Sequence, residues 1–165
     1  MRLAVPFTLA LFATVFSGCY SLSGISIDPN ASTYYVEQFD LTADDAPPTL
    51  PLTFTEALRD RIRTQTPLTA DETSPDISFS GSVVGWEVTS EAPQPGETTA
   101  FNRLTITVAV AYEDAIDGSR SWRKRFPFFS NFSSTENLLD VQDLLIDEIT
   151  EQLIEDVFNA AFTNW

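Results

Sequence analysis

The sequence predicts an α+β fold: a two-layer sandwich in which a four-stranded, mostly antiparallel sheet carries two helices on one face, in the order β-α-β-β-β-α. Three observations predict it. Residues 103–112 alternate strictly, with Leu104, Ile106, Val108, Val110 and Tyr112 set against Arg103, Thr105, Thr107, Ala109 and Ala111, which is the period of a strand with one buried face. Two other segments place apolar residues at helical spacing, Phe54, Leu58 and Ile62 in one and Leu138, Val141, Leu145, Ile149, Leu153 and Val157 in the other. Asp117-Gly118 then separates two strand-like runs, so a hairpin joins neighbouring strands.

The elements follow in chain order. Arg2 and the apolar run Leu3 to Phe16 make a charged n-region and an h-region too short to span a bilayer as a helix. Ser17 and Gly18 are small enough for a peptidase to close over, and Cys19, the only cysteine, follows them with a nucleophilic sulfur for a diacylglycerol. Residues 1–18 therefore read as a lipoprotein signal peptide, 19–31 as a lipidated tether and 32–165 as one folded domain. A leftover free thiol would be a liability in an oxidising periplasm, which favours lipidation of Cys19. Tyr20 stands where an aspartate would retain a lipoprotein in the inner membrane, so the expected location is the outer membrane, facing the periplasm.

Tyr34, Tyr35, Val36 and Phe39 mark a first strand over Ser32 to Phe39. Pro47, Pro48 and Pro51 punctuate the loop after it, and the adjacent Asp44-Asp45 pair reads as solvated, since calcium needs several converging oxygens. Thr53-x-x-Glu56 has the spacing of a capping box, predicting a helix from about Leu52 to Gln65 that Pro67 ends. Glu56 and Asp60 lie three residues before Arg59 and Arg63, the geometry of helix-surface ion pairs.

A long strand is expected over Asp76 to Thr89. Ile77, Phe79 and Val83 occupy one face, yet Val84, Trp86 and Val88 make the other face apolar afterwards, as a bulge near Gly85 or burial on both faces would. A polar loop covers 90–99. After the alternating strand, Glu113, Asp114 and Asp117 suit a turn better than a calcium site. The fourth strand, Ser121 to Phe129, contains Pro127 and so ends or lies at a sheet edge. The last helix opens at Ser134 or Thr135. Its wet side is acidic throughout, with Glu136, Asp140, Asp143, Asp147, Glu148, Glu151, Glu155 and Asp156 and no cation; docking of its wide apolar stripe on the sheet explains it better than a coiled coil.

Composition narrows function. With 24 acidic and 9 basic residues the formal charge is -15, which makes nucleic acid an improbable partner. The acidity, with Lys124 as the sole lysine, suits a salt-rich habitat, and stability that rises with added salt would support that. The chain has no histidine, so an enzyme here would rely on carboxylates, hydroxyls, Tyr or Arg. No familiar catalytic arrangement of them is present, and no metal or cofactor is expected.

Two clusters remain as binding candidates. Arg120, Arg123, Lys124 and Arg125 surround the fourth strand, either to bind an anionic ligand or to guard a sheet edge against aggregation. Phe126, Phe128, Phe129 and Phe132 either pack in the core or anchor the domain to a partner, and Trp165 has the same two readings. The second sheet face would show Ser78, Ser80, Ser82, Thr105, Thr107, Ala109 and Ala111, short side chains that keep it flat.

Several blocks stand in a recognisable order. The run around Cys19 continues Tyr20-Ser21-Leu22-Ser23-Gly24, followed by Thr53-Phe54-Thr55-Glu56-Ala57-Leu58-Arg59-Asp60 and Asn102-Arg103-Leu104-Thr105-Ile106-Thr107-Val108. The chain closes on Glu151-Gln152-Leu153-Ile154-Glu155-Asp156-Val157-Phe158-Asn159 with Phe162 and Asn164-Trp165. Together they resemble the LptE family of lipopolysaccharide-assembly lipoproteins in its Bacteroidetes-type form. The resemblance implies a non-enzymatic subunit that sits within the β-barrel LptD, aids its assembly and helps deliver lipopolysaccharide; in the family basic residues meet the lipid A phosphates, and this chain offers Arg120, Arg123, Lys124 and Arg125 for that contact. The rival readings are a lipoprotein holding a small apolar ligand between helices and sheet, and a carboxylate-based enzyme.

Overall fold

The computed structural model describes residues 24–91 and 100–163. The expected signal peptide, Cys19, most of the 90–99 loop and Trp165 lie outside the described residues.

The sheet has six strands rather than four, and it is mixed rather than mostly antiparallel. The strands are β1 (Thr33–Val36), β2 (Asp40–Leu41), β3 (Thr69–Ala70), β4 (Ile77–Glu91), β5 (Phe101–Asp114) and β6 (Trp122–Ser133), and the helices are α1 (Leu50–Gln65) and α2 (Leu138–Phe162). The order across the sheet is β3-β1-β4-β5-β6, with β2 pairing β4 above β1. The meander β4-β5-β6 is antiparallel, as alternation and a short connection require. β1 and β2 instead run parallel to β4, because α1 lies between them in sequence and a helical crossover returns the chain in the same direction.

The expected first strand is split. Val36 pairs with Phe79 and Asp40 with Ser82, so this segment spends one residue more than β4 over the same span. The Phe39 ring turns into the core there, 4.9 Å from that of Phe54, and its N–H is taken by the hydroxyl of Thr55 at 3.0 Å. Arg59 holds the Val36 carbonyl with two donors, Nε at 3.1 Å and Nη2 at 2.6 Å, while also pairing with Glu56 at 2.7 Å. Arg63 pairs with Asp60 as expected. β3 is two exposed residues against β1, too short and too polar for any sequence period to reveal.

Gly81 has no room for a side chain. A Cβ there would lie 2.1 Å from the Ala109 carbonyl oxygen and 2.7 Å from Cε1 of Phe39. Beyond it, the register of β4 slips between Val83 and Gly85. This is the bulge that the sequence suggested, and it explains the change of phase: Phe79 and Val83 face the helices below it, and Trp86 and Val88 face the same way above it, opposite Ile106 and Leu104.

Both helices pack on this one face, α2 over β5 and β6 and α1 over β1, β2 and β4, and they touch one another. Leu58, Ile62, Phe79, Val83, Leu104, Ile149, Leu153 and Val157 are fully buried between the layers. The helix starts differ from expectation. α1 begins at Leu50, with Pro51 in its first turn and Thr49 as a cap that makes no side-chain bond, because proline is preorganised for that position. Thr53 is therefore inside the helix, and its hydroxyl donates to the Thr49 carbonyl at 3.2 Å instead of closing a capping box. α2 is capped by Asn137, whose side chain accepts from the Leu139 N–H at 3.0 Å, since Glu136 reaches back to the Ser133 N–H and forms a preceding turn. The β5–β6 connection is a short 3-10 turn (Gly118–Arg120) with Asp117 at φ -129°, not a two-residue turn with positive angles.

One carboxylate ties the lower edge together. Asp76 accepts from the N–H and hydroxyl groups of both Ser32 and Thr33, at 2.8–3.1 Å. These bonds, the Ser32 N–H foremost, hold its pKa below the ordinary carboxylate value. A depressed folded value adds stability that is complete above the ordinary carboxylate range and lost as pH falls through the folded value. Denaturant midpoints measured from neutral to acid pH should accordingly fall more for the native chain than for Asp76→Asn, which cannot titrate there. In the core, Gly81→Ala should lower unfolding free energy by about 1–3 kcal/mol in denaturant titrations. Trimming Phe39 to Leu as well should not restore it, because the backbone oxygen of Ala109 remains in the way.

Candidate functional site: the open sheet face

The helices leave the other sheet face uncovered, and the register fixes what stands on it. Reading across β4, β5 and β6, the rows are Ser80–Ala111–Arg123, Ser82–Ala109–Arg125, Gly85–Thr107–Pro127, Glu87–Thr105–Phe129 and Thr89–Arg103–Asn131. The lower rows have a floor of hydroxyl and methyl groups. With no large side chain rising from β4 or β5 there, the long arginines of β6 form a wall, and the trough between holds about 340 Å³, lined by Ser82, Ala109, Ala111, Arg123 and Arg125 among others.

The four basic residues expected to act together do not share one surface. Arg123 and Arg125 both point to the open face. Arg123 makes a single ion pair, to Glu113 at 3.2 Å, with both side chains largely exposed, a contact of little energetic weight in water. Arg125 has no carboxylate within ion-pair distance among the described residues. Lys124 lies opposite Val110 and so emerges on the helix side, its ammonium 5.1 Å from the Trp122 ring. Arg120 is committed elsewhere: its Nη2 donates to the Ser26 carbonyl at 2.8 Å and its Nε lies 3.7 Å from the buried Asp114 carboxylate. The neighbouring Tyr112 hydroxyl is pushed up to about 12, by burial first and by Asp114 second, and stays protonated.

Arg103 belongs to the open face, although the basic cluster around β6 does not include it. Its guanidinium lies 4.1 Å from the Phe129 ring, 3.1 Å from Oδ1 of Asn131 and 3.1 Å from Glu91. The signal for it was in the alternation of β5, whose phase puts Arg103 with Thr105 and Thr107. The phenylalanines divide as well. Phe132 is buried, Phe126 and Phe128 pack against the core edge, and Phe129 is 44 % exposed beside Arg103. The face therefore carries two cationic regions, Arg123 and Arg125 below, of which Arg123 has one exposed ion pair, and an aromatic-backed, paired arginine above.

Among the described residues no three acidic, histidine or cysteine side chains are placed to hold a metal ion, and no helix is long and apolar enough to cross a membrane. Of the acidic side chains of α2, Asp143, Asp147, Glu151 and Glu155 are exposed, while Glu148 accepts from the Ser130 hydroxyl of β6 at 2.8 Å.

Solved structures share this architecture. The hypothetical protein CT253 of Chlamydia trachomatis superposes with a TM-score of 0.50 at 8 % identity, covering 79 % of this chain and 98 % of its own. PelC of Paraburkholderia phytofirmans, a dodecamer, gives 0.50 at 12 % identity, with 86 % and 96 % covered. XCC0632 of Xanthomonas campestris, from the DUF330 family, gives 0.53 at 9 % identity, with 81 % and 87 % covered. At such identities the likeness is one of fold. No curated protein matches the sequence. The lipopolysaccharide-assembly family, LptE, matches over residues 31–161, from the start of the folded domain almost to the end of α2. The chain belongs to the LptE family.

Proposed function

We propose that this protein is a lipoprotein subunit of the lipopolysaccharide translocon, anchored through Cys19 in the periplasmic leaflet of the outer membrane. In this reading it plugs an LptD-like β-barrel, assists its assembly and helps pass lipopolysaccharide to the outer leaflet. It works by binding and not by catalysis. The observation that carries the reading is the open sheet face of a chain in this family: flat, short-chained and polar over β4 and β5, it suits packing against the polar inner wall of a barrel.

Arg123 and Arg125 stand at the rim of that face with little or no intramolecular neutralisation. Guanidinium groups in such a position suit the phosphates of lipid A, which they bind through paired charged hydrogen bonds. Lys124, on the other side of β6, extends the charge around the sheet edge, and Arg120 contributes through structure rather than contact. The net charge of -15 makes this a local attraction on a repulsive background, so it is sensitive to salt. A small apolar ligand between helices and sheet has little room, since that space is filled by Leu58, Phe79, Ile106 and Leu153, each at most 1 % exposed.

Affinity purification of the tagged lipoprotein from membranes of its native host, followed by mass spectrometry, tests the central claim. Stoichiometric recovery of a large LptD-like barrel is the expected result, and recovery of the lipoprotein alone would refute it. For the site, Arg123→Glu/Arg125→Glu should weaken binding to immobilised lipopolysaccharide at least about tenfold, the effect of losing roughly 1.4 kcal/mol. Both side chains are exposed, so the variant should keep its unfolding midpoint. Undiminished binding by a folded variant would remove these arginines from the contact.

A further inference from the structure

The helix layer carries a second surface, on the opposite side of the domain from the sheet face. Between α1 and α2 lies an open groove that holds about 340 Å³, with Asp60 and Arg61 on its α1 side and Asp147, Thr150 and Glu151 on its α2 side. Residues 147, 150 and 151 share one face of α2 because they are three and four positions apart. The floor of the groove holds an orphan. Thr150 is 4 % exposed, and its hydroxyl has no hydrogen-bond partner among the described residues. A helical threonine can donate to the carbonyl four residues back, as Thr53, Thr55 and Thr64 of α1 do at 3.2, 2.7 and 2.8 Å. Thr150 makes no such bond, and a buried hydroxyl left unpaired costs stability. The Nε–H of Arg61 is likewise buried without an acceptor, its guanidinium 5.6 Å from the Phe158 ring.

The α2 wall of the groove is charged without compensation. Asp143, Asp147, Glu151 and Glu155 recur every four residues and are exposed, a spacing at which like charges repel. α2 contains no basic residue, and none of its carboxylates lies within ion-pair distance of a cation among the described residues. A fitting ligand therefore brings positive charge to Asp147 and Glu151, and an acceptor to Arg61 and Thr150. An anion would satisfy Arg61 and Thr150 but face the carboxylates. An acidic coat that served solubility alone needs no groove and no unpaired hydroxyl beneath it.

We propose that this groove binds a basic peptide segment of a partner protein, laid along α2. Its lysine or arginine side chains meet Asp147 and Glu151, and its backbone carbonyls accept from Arg61 and Thr150. An extended peptide supplies both kinds of group along its length, a carbonyl at each residue and side chains that alternate in direction. The Arg61 bond is charge-assisted, which strengthens it. Because the helices separate this groove from the sheet face, the domain can hold a cationic segment on one side and an anionic ligand on the other. The inference rests on neither the barrel nor lipopolysaccharide.

The test uses the full chain, purified in detergent, and a fluorescein-labelled peptide of alternating arginine and glycine, with binding read by anisotropy at physiological ionic strength. The peptide should bind, and Asp147→Asn/Glu151→Gln should weaken it at least about tenfold. Asp44→Asn/Asp45→Asn removes the same charge from an exposed loop and should leave binding nearly unchanged. Thr150→Val keeps the side-chain shape and removes the hydroxyl. It should weaken the peptide about threefold or more while holding or raising the unfolding midpoint, a pairing that a purely structural role for the hydroxyl would not give. Absence of binding would overturn the inference, as would equal losses from the two carboxylate pairs, which is the mark of diffuse attraction to an acidic protein. Undiminished binding by Thr150→Val would overturn the groove as the place of contact. Tighter binding of the matching glutamate–glycine peptide would make the occupant an anion and overturn the basic segment. Failure to recover a barrel in the purification above bears on none of these outcomes.

Discussion

Strand β4 is the element on which the other parts depend. It pairs with β1 and β2 on one side and with β5 along its full length on the other, so its phase decides which side chains every neighbour must bring to the core. A strand with one buried face alternates with a period of two, and a single extra residue reverses the alternation. The slip between Val83 and Gly85 is that extra residue. It lets a sequence whose apolar positions change phase in mid-strand bury both halves against the same pair of helices.

That constraint also produces the open face. Once Phe79, Val83 and Trp86 are all committed to the helix side, the residues left opposite are Ser78, Ser80, Ser82 and, across the ladder, Thr105, Thr107, Ala109 and Ala111. Short side chains on two adjacent central strands give a surface with little relief of its own, and the long side chains of the edge strand β6 then dominate its chemistry. The position of Arg123 and Arg125 beside an empty floor follows from the pairing Ala111–Arg123 and Ala109–Arg125. Their neighbour Lys124 is excluded from the same surface by the same pleat. Sequence proximity grouped three cations that the sheet divides between two faces.

The two ends of the sheet differ in how firmly they are built. At the lower end five strands pair side by side, Asp76 collects four hydrogen bonds from Ser32 and Thr33, and Arg120 joins Asp114 to Ser26. Above Val83, only β4, β5 and β6 continue, and side chains such as Val88, Phe101 and Phe129 are substantially exposed. Polar networks at a sheet edge fix geometry because each member satisfies another; the cross-links of the upper hairpin, Arg103 to Glu91 and Asn131, are instead solvent-exposed contacts between its own strands. A firmly fixed base with a projecting hairpin is a suitable form for a domain that is held at one end and meets a partner along its length.

Local order was legible in the sequence wherever one period held long enough to be read. The alternation of β5, the stripe of α2 and the phase change in β4 each follow from where apolar residues must go, and each appears as expected. The surface ion pairs of α1 were legible for the same reason, since helical spacing alone places Glu56 beside Arg59. What only the tertiary structure decided depends on contacts distant in sequence: the parallel strands β1 and β2, the two-residue β3, and the break at Phe39 that leaves Gly81 no room for a side chain. Helix starts were also decided there, because Pro51 and Asn137 competed with equally plausible caps nearby. The inward role of Arg120 was hidden most completely, for its partner Ser26 lies 94 residues away, and no local pattern encodes a buried carboxylate waiting for it.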